Sequence, residues 1–164
     1  ALLEQARAEA AALRAAMLPG AVVAHGSEVA AAAHARGDRT LWLREATASA
    51  AAANSAPALC TLDDRLWALA QQLSPHLSAS LTLTTRTDAM LACYPGNHTA
   101  AYGRHIDNPD GDGRSDGRVL TVVYYLNEAD WNPPRDGGAL RMHVGDEREG
   151  LAMAVDVAPR GDRL

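Results

Sequence analysis

The feature that most constrains this chain is a change of pattern at Pro75. Before it, apolar residues recur at helical spacing. After it, short β-prone runs are separated by Gly, Pro, Asn and Asp. Leu3, Ala6, Ala10, Leu13 and Met17 predict a helix over 3–18, stopped by Pro19-Gly20. A second helix is expected over 27–35, with Ser27 as N-cap, then a turn at Arg36-Gly37-Asp38-Arg39 and a strand over 40–43 that carries Trp42. Residues 46–59 are rich in Ala, Ser and Asn and read as a loop. Thr61 and Asp64 mark the start of a helix whose apolar stripe is Leu62, Leu66, Leu69 and Leu73, with Pro75 ending it. Strand-like segments follow at 81–86, 89–94, 119–126, 139–144 and 151–157. Helices first and strands second predict an α+β fold, its sheet closed or stacked and supported by the leading helices.

The 164 residues amount to one domain: 1–78 mainly helical support, 79–164 a β-rich core. With 15 basic and 20 acidic side chains, the net charge of −5 argues against a general nucleic-acid binder or a membrane-surface protein. No window approaches the roughly 18 apolar residues of a membrane span. Cys60 and Cys93 match no zinc, redox or disulfide spacing and read as reduced thiols of an intracellular protein, cytoplasmic or nuclear. The chain starts with Ala rather than Met and ends at Asp162-Arg163-Leu164, so it is expected to be a piece of a longer protein.

The chemistry-bearing stretch runs from Tyr94 to Asp107. His105 and Asp107 are two residues apart, so on a strand both side chains would project from one face. An imidazole nitrogen and a carboxylate oxygen could then bind one metal ion. With a distant second His, such a pair makes the facial triad of non-haem Fe(II) oxygenases. The alternative reading of His-x-Asp is a surface His beside a turn Asp. Downstream of a Gly/Asp-rich loop, Val119, Thr121, Val123 and Tyr125 share one face of the next strand. That face suits a small ligand whose carboxylate accepts from Tyr and Thr, or else a plain core strand with Tyr125 tipped outward. The acidic loop does not supply an EF-hand in any register from Asp107 to Asp112. His25, His34, His76 and His98 have no metal spacing with one another. Trp67 reads as core and Trp131 as an exposed loop residue.

Five motifs in order, Ala92-Cys-Tyr-Pro-Gly-Asn, Arg104-His-Ile-Asp-Asn-Pro, Asp110-Gly-Asp-Gly-Arg, Tyr124-Tyr-Leu-Asn and Gly137-Gly-Ala-Leu-Arg141, resemble the prolyl 4-hydroxylases that modify hypoxia-inducible transcription factors. Arg36-Gly-Asp-Arg-Thr-Leu-Trp42 resembles that family's upstream turn and Trp strand. The chain departs by one extra residue between Tyr94 and His105 and by a repeat at 115–118. The resemblance implies a double-stranded β-helix (jelly-roll) core supported by N-terminal helices. It implies Fe(II), 2-oxoglutarate as cosubstrate, and ascorbate as a candidate accessory. His105 and Asp107 would be iron ligands and the catalytic centre. Tyr125 would hydrogen-bond the far carboxylate of 2-oxoglutarate, in a pocket lined by Tyr94, Val123 and Leu140. Tyr102 and Arg118 would face a proline-containing protein or peptide, with Asp38 and Trp42 shaping the entrance. The implied reaction couples decarboxylation of 2-oxoglutarate, to succinate and CO2, to hydroxylation at C4 of a proline.

In that family a distal His ligand and a 2-oxoglutarate-binding Arg lie beyond a segment resembling Asp162-Arg-Leu164, so the barrel and the triad are expected to be incomplete at the C-terminus. His143 stands where the family has an apolar site. Two other readings remain at this point: a catalytically inactive truncated form acting as a protein-binding module, and an oxygenase of a free amino acid or small molecule. Oxygen sensing depends on an oxygen affinity that no motif here carries.

Overall fold

The computed structural model describes residues 1–20, 23–24, 27–28, 37–47, 56–77, 82–96, 100–107, 117–145 and 153–164. In chain order its elements are α1 (Leu2–Leu13), β1 (Leu18–Pro19), β2 (Val23–Ala24), β3 (Ser27–Glu28), β4 (Arg39–Trp42), α2 (Leu43–Ala46), α3 (Pro57–Leu77), β5 (Met90–Cys93), α4 (Pro133–Asp136), β6 (Leu140–Val144) and β7 (Met153–Val157). Helices and antiparallel strand pairs make the chain α+β. It divides into two compact units, residues 1–93 and 94–164.

In the first unit α1 lies against α3 through small side chains: Ala6, Ala58 and Ala70 are buried, with Leu59 beside them. Helix α1 ends earlier than its apolar period predicts. A 3-10 turn at Arg14–Ala16 leads into β1, and Met17 is buried at the join. Helix α3 begins at Pro57, inside the segment expected to be loop, rather than at Thr61. The reason is tertiary. Glu9 of α1 accepts from the N–H groups of Ala58 (3.0 Å) and Leu59 (2.9 Å), two first-turn donors that have no partner within the helix. A carboxylate there also complements the helix dipole. Thr61 lies one turn inside, its hydroxyl donating to the Pro57 carbonyl at 2.8 Å instead of capping.

Pro75 does not end α3, which continues to Leu77. A proline here leaves the Gln71 carbonyl without its usual N–H donor. The Ser74 hydroxyl donates to that carbonyl at 3.1 Å and takes the vacant role. The apolar stripe is also rotated from expectation. Leu69 and Leu73 are exposed, while the buried line runs through Leu59, Ala70 and Ser74. Which face is covered is decided by the small residues opposite, not by leucine spacing alone.

Strands β1, β4 and β5 form an antiparallel sheet in the order β1-β4-β5, with Leu18 opposite Thr40 and Leu41 opposite Leu91. Pro19 sits on the edge strand, where its missing N–H is tolerated. The Arg39 guanidinium donates to the Met17 carbonyl. Leu43, expected in the strand, opens α2: its N–H goes to Ala89 O, and Asp88 takes the Arg44 N–H with both oxygens, at 3.1 and 2.9 Å. Ser27 is not a helix cap, since it pairs with Ala24 across β2 and β3; residues 29–35 lie outside the described residues. Residues 82–86 join no sheet among the described residues. Arg86 holds them to α3 through the Asp63 carbonyl (2.9 Å), the Asp64 carboxylate (2.8 Å) and the face of Trp67 at 5.9 Å. Trp67 is half-buried on this contact. Both cysteines are free and half-buried, and burial raises the Cys60 thiol above its ordinary range. None of the described helices is long and apolar enough to cross a membrane.

In the second unit β6 and β7 pair antiparallel over five residues, Leu140 opposite Val157 and Val144 opposite Met153. Alternation puts Leu140, Met142, Val144, Met153, Val155 and Val157 on one face. Arg141 and Asp156 meet on the other, in two hydrogen bonds of 2.7 and 2.8 Å. Residues 119–126, expected as a strand, belong to no assigned sheet among the described residues. They are laced instead to the chain end: Tyr125 N–H to Arg163 O (3.0 Å), Asp162 N–H to Tyr125 O (3.1 Å), Asn127 Nδ2 to Pro159 O (2.7 Å), and the Tyr124 hydroxyl to Asp162. Trp131, expected to be exposed, is half-buried, and its indole N–H donates to Gly137 O at 3.0 Å. Gly137, at φ +74, closes the one-turn α4 in a conformation open to glycine.

Two outcomes test this framework. Glu9→Ala should destabilise the chain by about 0.5–2 kcal/mol in urea unfolding, the cost of losing a helix cap. Glu4→Ala should cost about 0.2–0.5 kcal/mol, because its partner Arg7 forms only a surface i,i+3 pair. Equal effects would refute the cap. Arg141 lowers the Asp156 carboxyl below its ordinary range by hydrogen bonding. The pair therefore persists above the ordinary carboxylate range and is lost as pH falls through the depressed value. In an NMR titration the Asp156 midpoint should rise on Arg141→Gln; an unchanged midpoint means the pair is not populated in solution.

Candidate active site

Residues 103–107 are not in a strand, yet they gather a polar centre. His105 turns its Nδ1 to the Gly103 carbonyl at 2.9 Å. A carbonyl only accepts, so Nδ1 carries a proton and donates to it, which leaves Nε2 as the nitrogen facing Asp107. That Nε2 lies 3.3 Å from Asp107 Oδ1. The Tyr102 ring lies over His105, centroids 4.2 Å apart and tilted by 36°. Ring contact and backbone hydrogen bond together fix the imidazole's orientation.

The two oxygens of Asp107 have different partners. Oδ2 accepts from the Thr121 hydroxyl at 2.6 Å. Oδ1 faces His105 and also Arg118, whose Nη1 is 3.1 Å away. The Thr121 hydrogen bond, more than the nearby Arg118 and His105, holds the Asp107 carboxyl below its ordinary range against a partial desolvation. Asp107 is thus an anion at neutral pH with one oxygen committed and one aimed at a neighbouring imidazole nitrogen.

That arrangement suits a metal ion. Two ligand bonds of about 2.0–2.2 Å at roughly a right angle put donor atoms about 3 Å apart, close to the separation seen. Binding the second imidazole nitrogen to a carbonyl is also the usual way a ligating His is oriented. Among the described residues no group of three or more His, Cys, Asp or Glu side chains could hold a metal, so His143, exposed on β6, does not complete the pair. His76 is exposed in the last turn of α3; His25, His34 and His98 lie outside the described residues, as does the acidic loop at 108–116.

Val123 and Tyr125 follow Thr121 at alternate positions of the same extended segment. Val123 is exposed and Tyr125 half-buried. Burial raises the Tyr125 phenol above its ordinary range, so it remains a neutral O–H donor; Arg163 opposes that shift. Tyr94 follows β5 and Leu140 opens β6, both exposed. Asp38 and Trp42 belong to the first unit: Asp38 is buried ahead of β4, and Trp42 is exposed at its end, opposite Met90. The direct role of Thr121 on Asp107 was not read from the sequence. The signal available was a hydroxyl on the same strand face as Tyr125, which needed an acceptor.

Residues 89–164 match the model of the 2OG-Fe(II) oxygenase superfamily. Within it the chain is similar to prolyl hydroxylases. It is 39% identical over 132 residues to Egl nine homolog 1 of Rattus norvegicus, covering 79% of this chain and 33% of that protein. It is 39% identical over 132 residues to prolyl hydroxylase EGLN3 of Rattus norvegicus, covering 80% of this chain and 48% of that protein. A hypoxia-inducible factor prolyl hydroxylase of Caenorhabditis elegans is 46% identical over 79 residues, covering 48% of this chain and 10% of that protein. The chain thus spans between a tenth and a half of the length of these relatives. These are the family and the class of enzyme that the ordered motifs resemble.

Proposed function

We propose that this chain is the part of a protein prolyl 4-hydroxylase that supplies two of its iron ligands and the floor of its cosubstrate site. The observation that carries this reading is His105 Nε2 lying 3.3 Å from Asp107 Oδ1, with each side chain fixed by a second partner. The similarity to proteins that are themselves prolyl hydroxylases favours an enzyme over a binding module. When bound, Fe(II) and 2-oxoglutarate would supply the oxidation that converts O2, 2-oxoglutarate and a prolyl C4–H bond to succinate, CO2 and hydroxyproline.

The chain's own residues bind and orient. His105 and Asp107 hold the metal. Tyr125, kept protonated by burial, donates to the far carboxylate of 2-oxoglutarate. Tyr94, Val123 and Leu140 line that pocket. Tyr102 and Arg118 face a proline-containing protein or peptide; Asp38 and Trp42, expected to shape its entrance, belong to the first unit. Residues 1–164 form one oxygenase domain whose β-rich part is a portion of a jelly roll, and the protein works inside the cell, in cytoplasm or nucleus. Ascorbate is a candidate accessory for keeping iron reduced. A net charge of −5 supports a protein partner over nucleic acid.

In the full-length protein that carries this chain, His105→Ala and Asp107→Ala should each abolish succinate formation coupled to a prolyl peptide. Turnover like that of the wild type in either variant would defeat the ligand assignment. Tyr125→Phe should weaken 2-oxoglutarate binding by about 0.5–1.5 kcal/mol for one neutral hydrogen bond, somewhat more because the acceptor is charged. Unchanged affinity by calorimetry would remove Tyr125 from the cosubstrate site.

A further inference from the structure

We propose that Arg118 competes with the metal for Asp107: its guanidinium holds the oxygen that the metal takes, and loading the metal moves Arg118 aside. This deepens, and rests on, the reading of His105 and Asp107 as metal ligands. Asp107 Oδ2 is committed to Thr121 at 2.6 Å. Oδ1 is the oxygen left for a metal, and it is the oxygen that Arg118 Nη1 approaches at 3.1 Å. His105 Nε2 lies 3.3 Å from the same Oδ1, so imidazole and guanidinium converge on the one oxygen that a metal would take. Arg118 supplies the positive charge that the Asp107 carboxylate has beside it in this arrangement.

A dication bound at Oδ1 would repel the guanidinium held on the same oxygen. Arg118 is able to yield. Its side chain is 40% exposed, and a long arginine stem moves its head into water at small cost. It follows Gly117, whose φ of +72 is a conformation open to glycine. Metal loading would also release Arg118 toward the substrate face proposed for it, so that metal precedes peptide.

The test is equilibrium binding of Mn(II) alone to the full-length protein, without 2-oxoglutarate, read from the electron-paramagnetic signal of free Mn(II). Arg118→Gln should bind Mn(II) about 2- to 10-fold more tightly, the lower part of that range being what release of one exposed ion pair gives. Arg118→Lys keeps the charge but loses the planar fork, and should fall between wild type and Arg118→Gln. Affinity unchanged or weakened in both variants overturns the proposal, because Arg118 would then support the carboxylate rather than contest it. Asp107→Ala is the separate control on the ligand reading. Loss of Mn(II) binding there upholds it, and retained binding defeats it whatever Arg118 does.

Discussion

The second unit is organised around the division of labour between the two oxygens of Asp107. A carboxylate on a segment outside any sheet would ordinarily rotate freely and pair with whatever cation came near. Here a 2.6 Å hydrogen bond from Thr121 removes that freedom, at a position fourteen residues further along. One oxygen is spent on geometry so that the other is available for chemistry. The same bond is the largest influence keeping the carboxyl ionised, so orientation and charge come from one contact. His105 follows the same logic, with Nδ1 committed to a backbone carbonyl and Nε2 left to act.

The charged pairs of this chain are not equivalent. Arg141–Asp156 and Arg135–Asp136 are well-formed but lie in water, where such pairs contribute little to stability. Arg86 does more, because its guanidinium joins a backbone carbonyl, a carboxylate and an indole face and so ties residues 82–86 to α3. Glu9 acts across sequence in the same way, ending one helix problem with a side chain from another. These long-range contacts substitute for a core that holds, among the described residues, no large side chain fully buried.

Local pattern made the helical first part, the strands at 39–42, 90–93, 140–144 and 153–157, and the His105–Asp107 pair legible. What was not legible depended on partners far away in sequence. The start of α3 is fixed by Glu9, some fifty residues earlier, and no reading of residues 46–61 alone contains that carboxylate. Pro75 failed as a stop because Ser74 satisfies the carbonyl it orphans, a compensation visible only once both are placed. Residues 119–126 carry a strong β signal, but β propensity records fitness for a pleated, half-buried surface and does not supply the neighbouring strand. Thr121 shows the same limit at the site. Its need for an acceptor was readable, and the acceptor's identity was not.

The two faces of the β6–β7 pair differ in chemistry, which supports the proposed jelly roll. A two-stranded hairpin is marginal in water by itself. This one has three apolar cross-strand pairs on one side and the Arg141–Asp156 and His143–Ala154 pairs on the other. Such a division suits packing of one sheet on another, where only the inner face loses its water. Leu140, the residue proposed to line the cosubstrate pocket, lies on that apolar face. Burying the face and enclosing the cosubstrate would therefore be one event, and the strength of 2-oxoglutarate binding would depend on how well the two sheets pack.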